Sequence, residues 1–398
     1  MIGLTFLGLT DYKETTYQFN SKLYCTNLFP LAFAEFFQFD QLKVVVTKES
    51  KDKHFGKLET QLKNKLQLED ITVPSGESEK DLWDMFDRIV ESIPPESQIV
   101  VDVTHGFRSM PILILAICVY LKTILKVQVS QIVYGAFDAR NKETNVTPVF
   151  DLTPFLFLLD WTFAIDKFIK LGDADELSKL LQKAHQTPYR QREPEETDLP
   201  KKLKTLANLI DDVTVALNAI RPKEATEKTL AMVESMDVVA HEVEKWAKPF
   251  SATLNKAKVE YKPIAASEGS LFSTIGMKAQ FNMVKWYIEK RQFVQAITLA
   301  REWIISRVCL LKDLNPVDMI NRENITTMLG QLTHNLKTKQ EIGGDFKAIP
   351  INKVAEVWAS LVNARNDIDH AGMRAHPCPA KKLIKNIMNI CQKLEGIQ

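Results

Sequence analysis

Two short segments of this chain combine residue types and spacing that can do chemistry. The first is Leu361-Val-Asn-Ala-Arg365-Asn366-Asp367-Ile368-Asp369-His370-Ala-Gly372. It is expected at the end of an amphipathic helix that Gly372 is placed to terminate. Asn366 and His370, four apart, share a helix face, and Arg365 lies one residue over with the reach to approach the same point. Histidine suits proton transfer near neutral pH, arginine stabilises a phosphorane-like charge, and asparagine can orient either. Those parts suit RNA self-cleavage, in which a 2′-hydroxyl attacks its own phosphate, and the set requires no metal. The competing structural reading makes Arg365 and Asp369 an i,i+4 surface ion pair and His370 a helix-end residue near the dipole.

The second segment is Asp102-Val103-Thr104-His105-Gly106-Phe107-Arg108-Ser109-Met110-Pro111, which follows the apolar run Gln98 to Val101. Gly106 permits close backbone approach or a positive φ. Thr104 and Ser109 offer hydroxyls, Arg108 offers a fixed fork for phosphate, and Pro111 suits the first turn of a helix. Gly8-Leu9-Thr10-Asp11-Tyr12 is a comparable loop after the first strand. In an open parallel sheet, ligands bind outside the carboxyl ends of the strands, where helix N-termini supply free N–H groups. The arrangement suits a phosphodiester better than a small neutral ligand. Neither GxGxxG nor GxxxxGK[ST] occurs, which disfavours hydride transfer and ATP hydrolysis. The competing reading is a tight strand-to-helix turn in which Arg108 pairs with a carboxylate and Ser109 caps the helix.

The elements that must position these residues follow from periodicity. Ile2 to Leu7, Leu42 to Thr47, Ile99 to Val103 and Gln131 to Tyr134 read as strands, and Ile71 to Val73 and Val149 to Phe150 as short ones. Between them Ser21 to Phe37, His54 to Leu66, Glu77 to Ser92 and Pro111 to Lys126 read as helices. The expected fold is an α/β, Rossmann-like N-terminal domain with a mostly parallel sheet over residues 1–152, followed by an all-α C-terminal half. Residues 153–270 are expected to form a helical connector, with an exposed loop near 186–198 and a second irregular link over 247–270. Residues 271–398 form a further helical domain ending in the Arg365–His370 segment.

At 398 residues the chain accommodates two or three domains. With 51 basic and 50 acidic residues, no global charge drives nucleic-acid or membrane binding, so an anionic ligand must be held by local charge. The N-terminus lacks a basic n-region, and no apolar stretch reaches the ~20 residues of a spanning helix. The expectation is a soluble, cytoplasmic protein without membrane association. Five cysteines without CxxC pairing fit neither a disulfide framework nor a zinc site and read as buried thiols in a reducing compartment. His334 and His376 lack partners at ligand spacing, so no metal site is expected.

Taken together and in order, a Rossmann-like domain with D-x-T-H-G-x-R-S-x-P and a helical domain ending in R-N-x-x-x-H-x-G resemble the CARF-HEPN ribonucleases of type III CRISPR systems. The resemblance assigns residues 1–152 to the CARF sensor and 271–398 to the HEPN nuclease, with 153–270 as a variable connector. It implies antiviral defence by metal-independent endonucleolytic cleavage of single-stranded RNA, leaving 2′,3′-cyclic phosphate ends. It further implies no cofactor and activation by a cyclic oligoadenylate, with tetra-adenylate favoured. By this resemblance Arg365 and His370 are the catalytic pair and Asn366 the polar residue after the arginine. Thr104, His105, Gly106, Arg108 and Ser109 form the messenger-binding loop, beside Gly8, Thr10, Asp11 and Tyr12. The helix Phe293 to Arg307, with Arg301 and Glu302, resembles the first HEPN helix, facing the same cleft. Asp367 and Asp369 are less expected there, placed to restrain Arg365 or to repel RNA. A homodimer or higher even oligomer follows from symmetry, because two copies supply two arginines and two histidines around one phosphate. Two alternatives stay open: a non-catalytic messenger-sensing scaffold for RNA or protein, and a ring nuclease that degrades its messenger in the sensor.

Overall fold

The computed structural model describes residues 1–106, 110–191, 199–338, 345–346, 349–373 and 375–397. It contains two compact units, Met1–Asp160 and Trp161–Gln398. The first is built on strands β1 (Ile2–Leu7), β2 (Thr15–Phe19), β3 (Lys22–Thr26), β4 (Gln41–Val46), β5 (Gln67–Thr72), β6 (Gln98–Asp102), β7 (Gln128–Gly135) and β8 (Val146–Asp151). They form one sheet in the order β3-β2-β8-β7-β6-β1-β4-β5. Within it β5-β4-β1-β6-β7 pair in parallel, while β7–β8 and β2–β3 are antiparallel. This is the Rossmann-like, mostly parallel sheet expected from sequence. Buried from Gly3 to Leu7, β1 reads as a near-continuous apolar run interrupted by Thr5, because both of its faces are covered.

The helices of this unit are α1 (Phe29–Phe36), α2 (Lys48–Ser50), α3 (Gly56–Leu62), α4 (Glu79–Ser92) and α5 (Met110–Ile124), with a π-helical turn at Lys51–Phe55. They divide the apolar side chains into two cores, one holding Leu4, Phe6, Ile89, Ile114 and Ile117, the other Leu7, Phe29, Phe33, Val44 and Leu58. Residues 21–37, expected as one helix, begin instead as a strand. Phe19 pairs with Lys22 across a two-residue turn in which Asn20 takes φ 52°, and asparagine tolerates that left-handed conformation.

Among the described residues, the second unit is helical apart from the pair β9 (Asp345–Phe346) and β10 (Ile349–Pro350). Helix α6 (Thr153–Leu171) begins in the first unit and ends in the second. Then come α7 (Asp175–Gln191), α8 (Leu203–Asn218), α9 (Pro222–Trp246), α10 (Lys248–Tyr261), α11 (Thr274–Glu289), α12 (Phe293–Leu311), α13 (Met319–Lys337), α14 (Ile351–Asp369) and α15 (Ala380–Leu394). One contiguous core runs through this unit, with Phe168, Leu206, Tyr287, Trp303, Leu361 and Leu394 among its buried members. The chain is more helical than expected in two places. The link over 247–270 contains α10, because Pro249 falls in the first turn, where its missing N–H costs nothing. The loop near 186–198 starts later, since α7 runs through Pro188 to Gln191 and the Tyr189 hydroxyl donates to the Pro200 carbonyl at 2.8 Å; residues 192–198 lie outside the described residues.

Candidate functional site

The parallel strand order reverses between β1 and β6, so the loops leaving Leu7 and Asp102 open a crevice at the carboxyl edge of the sheet. Beneath that crevice lies Asp102, fully buried. Its carboxylate accepts hydrogen bonds from the Thr5 hydroxyl at 2.5 Å and the Thr104 backbone N–H at 2.7 Å. Burial pushes its pKa up to about 6, against the opposing pull of bonds from Thr104 and Thr5. The Thr104 hydroxyl accepts the Gly135 N–H at 2.8 Å, tying the loop after β6 to the end of β7.

His105 Nε2 accepts the Phe29 N–H at 3.1 Å, which leaves the proton of the neutral ring on Nδ1. Its ring stacks on Tyr12, centroids 3.7 Å apart at 26°. Burial, and secondarily the charge of His54, depress the His105 pKa to about 3. The Tyr12 hydroxyl accepts the Gly8 N–H at 2.7 Å, and burial raises its pKa to about 12, so it stays protonated. A side chain at Gly8 would put a Cβ 3.1 Å from the His105 carbonyl and 3.2 Å from the Tyr12 hydroxyl. The glycine is needed for close approach of the two loops.

The loop after β1 is also gripped by the π-helical turn that follows α2. Lys53 donates to the Leu9 carbonyl at 2.9 Å and pairs with Asp11 at 2.7 Å, while His54 Nε2 sits 3.0 Å from the Thr10 carbonyl. The His54 pKa is depressed chiefly by burial.

These loops enclose a cavity of about 330 Å³ lined by Thr10, Asp11, Tyr12, Lys13, Thr104 and His105, with Tyr17, Tyr134, Gly135, Phe137 and Asp138 completing the wall. Thr10, Asp11, Tyr12, Thr104 and His105, all expected from sequence to bind a ligand, come together here. Gly8 and Gly106 are not among the lining residues; Gly8 sets the spacing of the two loops. Arg108 and Ser109, with Phe107, lie outside the described residues. The segment after β7 is a third loop at the same carboxyl edge that sequence reasoning does not find; Gly135-Ala-Phe-Asp138 is its signal.

In the second unit, α14 buries Val354, Val357, Trp358, Leu361 and Ala364 and carries the other segment on its last turn. The helix ends at Asp369. Past it Ala371 and Gly372 take φ 51° and 70°, and the Gly372 and Met373 N–H groups bond back to the Asp367 and His370 carbonyls at 2.9 and 2.8 Å. Gly372 terminates the helix as expected. Arg365 and Asn366 are half-buried and His370 exposed. Arg365 pairs with Asp369 at 3.0 Å, the contact required by the competing structural reading. Asp367 instead turns inward, accepting the Cys378 N–H at 3.3 Å. On α12, Glu302 binds Arg301 and, at 2.5 Å, Arg322, while the Arg301 guanidinium lies 5.6 Å from the Trp358 ring centre. Trp358 and Arg365, seven apart, share one stripe of α14. Cys118, Cys309 and Cys391 are buried as expected, but Cys378 is half-buried and Cys25 exposed.

Residues 2–138 match the family described as the CARF domain of the CRISPR system endoribonuclease Csx1. The N-terminal unit is thus similar to a CARF domain. Downstream of it, residues 157–263 match the second domain of the CRISPR-associated protein MJ1674. MJ1674 itself, from Methanocaldococcus jannaschii, is 25% identical over 301 residues, covering 74% of this chain and 41% of that protein. The chain therefore spans under half the length of this curated relative. Among solved structures, Enterococcus italicus Csm6 bound to cyclic hexa-2′-fluoro-hexa-dAMP matches with TM-score 0.45 and 11% identity over 100% of this chain and 93% of that one. The first unit thus resembles the CARF domain of the Csx1 ribonucleases, and the segment after it resembles the second domain of MJ1674. No helix among the described residues is long and apolar enough to cross a membrane.

Proposed function

We propose that the protein is a cyclic-oligoadenylate-activated, metal-independent endoribonuclease that cuts single-stranded RNA in antiviral CRISPR defence. The observation that carries this reading is the succession of half-buried Arg365 and Asn366 and exposed His370 at the end of α14, in a chain whose N-terminus matches a Csx1 CARF domain. His370 moves the proton between the 2′-hydroxyl and the leaving 5′-oxygen, Arg365 neutralises charge on the phosphorane, and Asn366 orients the phosphate. The 2′-oxygen bonds to phosphorus as the P–O5′ bond breaks, leaving a 2′,3′-cyclic phosphate and a 5′-hydroxyl. The sensor cavity with Thr10, Tyr12, Thr104 and His105 holds the messenger, tetra-adenylate being favoured, with Gly8, Asp11, Gly106, Arg108 and Ser109 in the same two loops. Residues 153–270 connect this sensor to a nuclease domain over 271–398, and a homodimer brings two Arg365/His370 sets around one phosphate.

Cleavage of a fluorescent single-stranded RNA is measured with a panel of cyclic oligoadenylates, with EDTA present, following each messenger in the same tubes. The expected result is RNA cleavage switched on by one ring size with the messenger intact. Messenger loss without RNA cleavage would establish a ring nuclease, and binding without either reaction a scaffold.

A further inference from the structure

Between α14 and α15 lies an open groove of about 840 Å³ whose walls include Ser360, Asn363, Asp367, Lys382, Asn386 and Asn389. Helix α15 is strongly one-sided. It buries Ile387, Ile390, Cys391 and Leu394, and its 15 residues carry four lysines and no carboxylate. Four groove residues, Lys382, Asn386, Asn389 and Lys393, fall at i, i+4, i+7 and i+11, a straight exposed stripe along the helix. It runs for about 16 Å. Neither lysine has a carboxylate within 4.0 Å among the described residues, so both charges are available to an anion. The groove's one carboxylate, Asp367, is 6% exposed and engaged by the Cys378 N–H.

On the opposite wall, Asn363 lies seven residues before His370, hence on nearly the same face of α14 and about 10 Å along its axis. The groove therefore leads toward the turn that carries His370. Paired cations spaced along a trough fit a chain of phosphates, not a single anion. The amides between them, Asn363, Asn386, Asn389 and Gln392, each present a donor and an acceptor. That is the equipment for the hydrogen-bonding edges of unpaired bases. His376 supplies the one aromatic ring among the lining residues, so reading of base edges by the amides predominates over stacking.

We propose that the α14–α15 groove is the track along which single-stranded RNA approaches His370, with Lys382 and Lys393 on phosphates and the groove amides setting base preference. This deepens the ribonuclease reading and rests on it for the direction of the track, but binding can be measured without cleavage. The probe is a fluorescein-labelled RNA carrying 2′-O-methyl groups throughout, titrated by anisotropy against the intact 398-residue chain at several salt concentrations. Lys382→Ala with Lys393→Ala is expected to weaken binding about ten-fold at low salt and to reduce the slope of log K against log salt by about 1.4, near 0.7 for each phosphate no longer neutralised. Lys382→Arg with Lys393→Arg should restore both, which separates loss of charge from loss of fold. Asn386→Ala with Asn389→Ala should flatten the ranking of homopolymer affinities and leave the salt slope unchanged.

Wild-type affinity and slope in the lysine-to-alanine protein, or a wild type that does not bind the probe at low salt, would overturn the proposal. If lysine-dependent binding persists while unmodified RNA is never cut with any cyclic oligoadenylate, the ribonuclease reading fails and the groove stands. Cleavage that ignores both lysines has the opposite meaning.

Discussion

The buried Asp102 and the stacked His105, three residues apart on the loop after β6, give the sensor a pH signature that can be dissected. Asp102 ordinarily titrates near 3.8 and is raised to about 6 by burial. A raised carboxyl contributes stability that is fully present below pH 3.8 and lost as pH rises through 6, a difference of at most about 3 kcal/mol. His105 ordinarily titrates near 6.5 and is depressed to about 3. Its contribution is present above pH 6.5 and is lost as pH falls toward 3, with a ceiling of about 5 kcal/mol. Between pH 4 and 6 the two slopes, each about 1.4 kcal/mol per pH unit, oppose and nearly cancel. Asp102→Asn keeps an acceptor for the Thr104 N–H and removes the charge. Relative to wild type, it should be near neutral at pH 4 and more stable by up to about 3 kcal/mol at pH 7. His105→Gln should lose stability at pH 7 and recover relative to wild type as pH falls. Hydrogen exchange of the β1 and β6 amides in the intact chain, compared with wild type at each pH, reports both differences locally. A pH-independent difference for Asp102→Asn would show that Asp102 titrates as an ordinary carboxyl and that its burial does not weaken the fold.

Replacing His370 with Ala should cut RNA cleavage by about 10²- to 10⁴-fold while leaving messenger binding intact; full activity would remove His370 from the reaction. Arg108→Ala should weaken messenger binding by about 1.5 to 3 kcal/mol in a titration, as expected when a charge-assisted phosphate bond is removed. Unchanged isotherms would restore the structural-turn reading of that loop. Tyr12→Phe removes the acceptor of the Gly8 N–H but keeps the ring on His105. It should cost about 1 kcal/mol of messenger affinity, and Tyr12→Ala should cost more, since it also removes the stack. Asp369→Asn releases Arg365 and should raise messenger-independent cleavage about two- to five-fold, the worth of an exposed ion pair, read as initial rates without activator.

The parts of the fold legible in sequence are those whose signal is local. Strands β1, β4 and β6 announce themselves as short runs rich in Leu, Val and Ile, interrupted by Thr5 in β1 and Lys43 in β4, because helices cover both faces of the sheet. The buried stripe of α12 sets its start at Phe293, the residue at which the sequence reading begins that helix. Punctuation is what misleads. The β2–β3 hairpin turns on Asn20-Ser21 in place of the usual Asn-Gly, so the inward alternation of Thr15, Tyr17 and Phe19 lacks its turn signal and β3 merges into the following helix. Pro249 reads as a breaker where it starts α10. At the sensor cavity, the loops after β1 and β6 carry recognisable chemistry, but Tyr134, Phe137 and Asp138 arrive from β7 only because β7 pairs with β6. No spacing in the chain encodes that pairing.

At α14 the ion pair required by the structural reading of Arg365 is present, and magnitude decides whether it stands in the way of the proposed catalytic role. The Arg365–Asp369 pair at 3.0 Å has side chains 37% and 40% exposed, a setting in which such a pair is worth about 0.2 to 1 kcal/mol. A bidentate guanidinium–phosphate contact is worth about 1.5 to 3 kcal/mol. A phosphodiester reaching the end of the helix therefore outcompetes Asp369, whose carboxylate needs only a rotamer change to return to water. The ion pair thus holds Arg365 in place without consuming it, and it screens the guanidinium from weaker anions while no RNA is bound. Asp367 does not compete in the same way, because it is buried against the Cys378 N–H. Of the two acids interleaved in the segment, one guards the arginine reversibly and the other fixes the turn that presents His370.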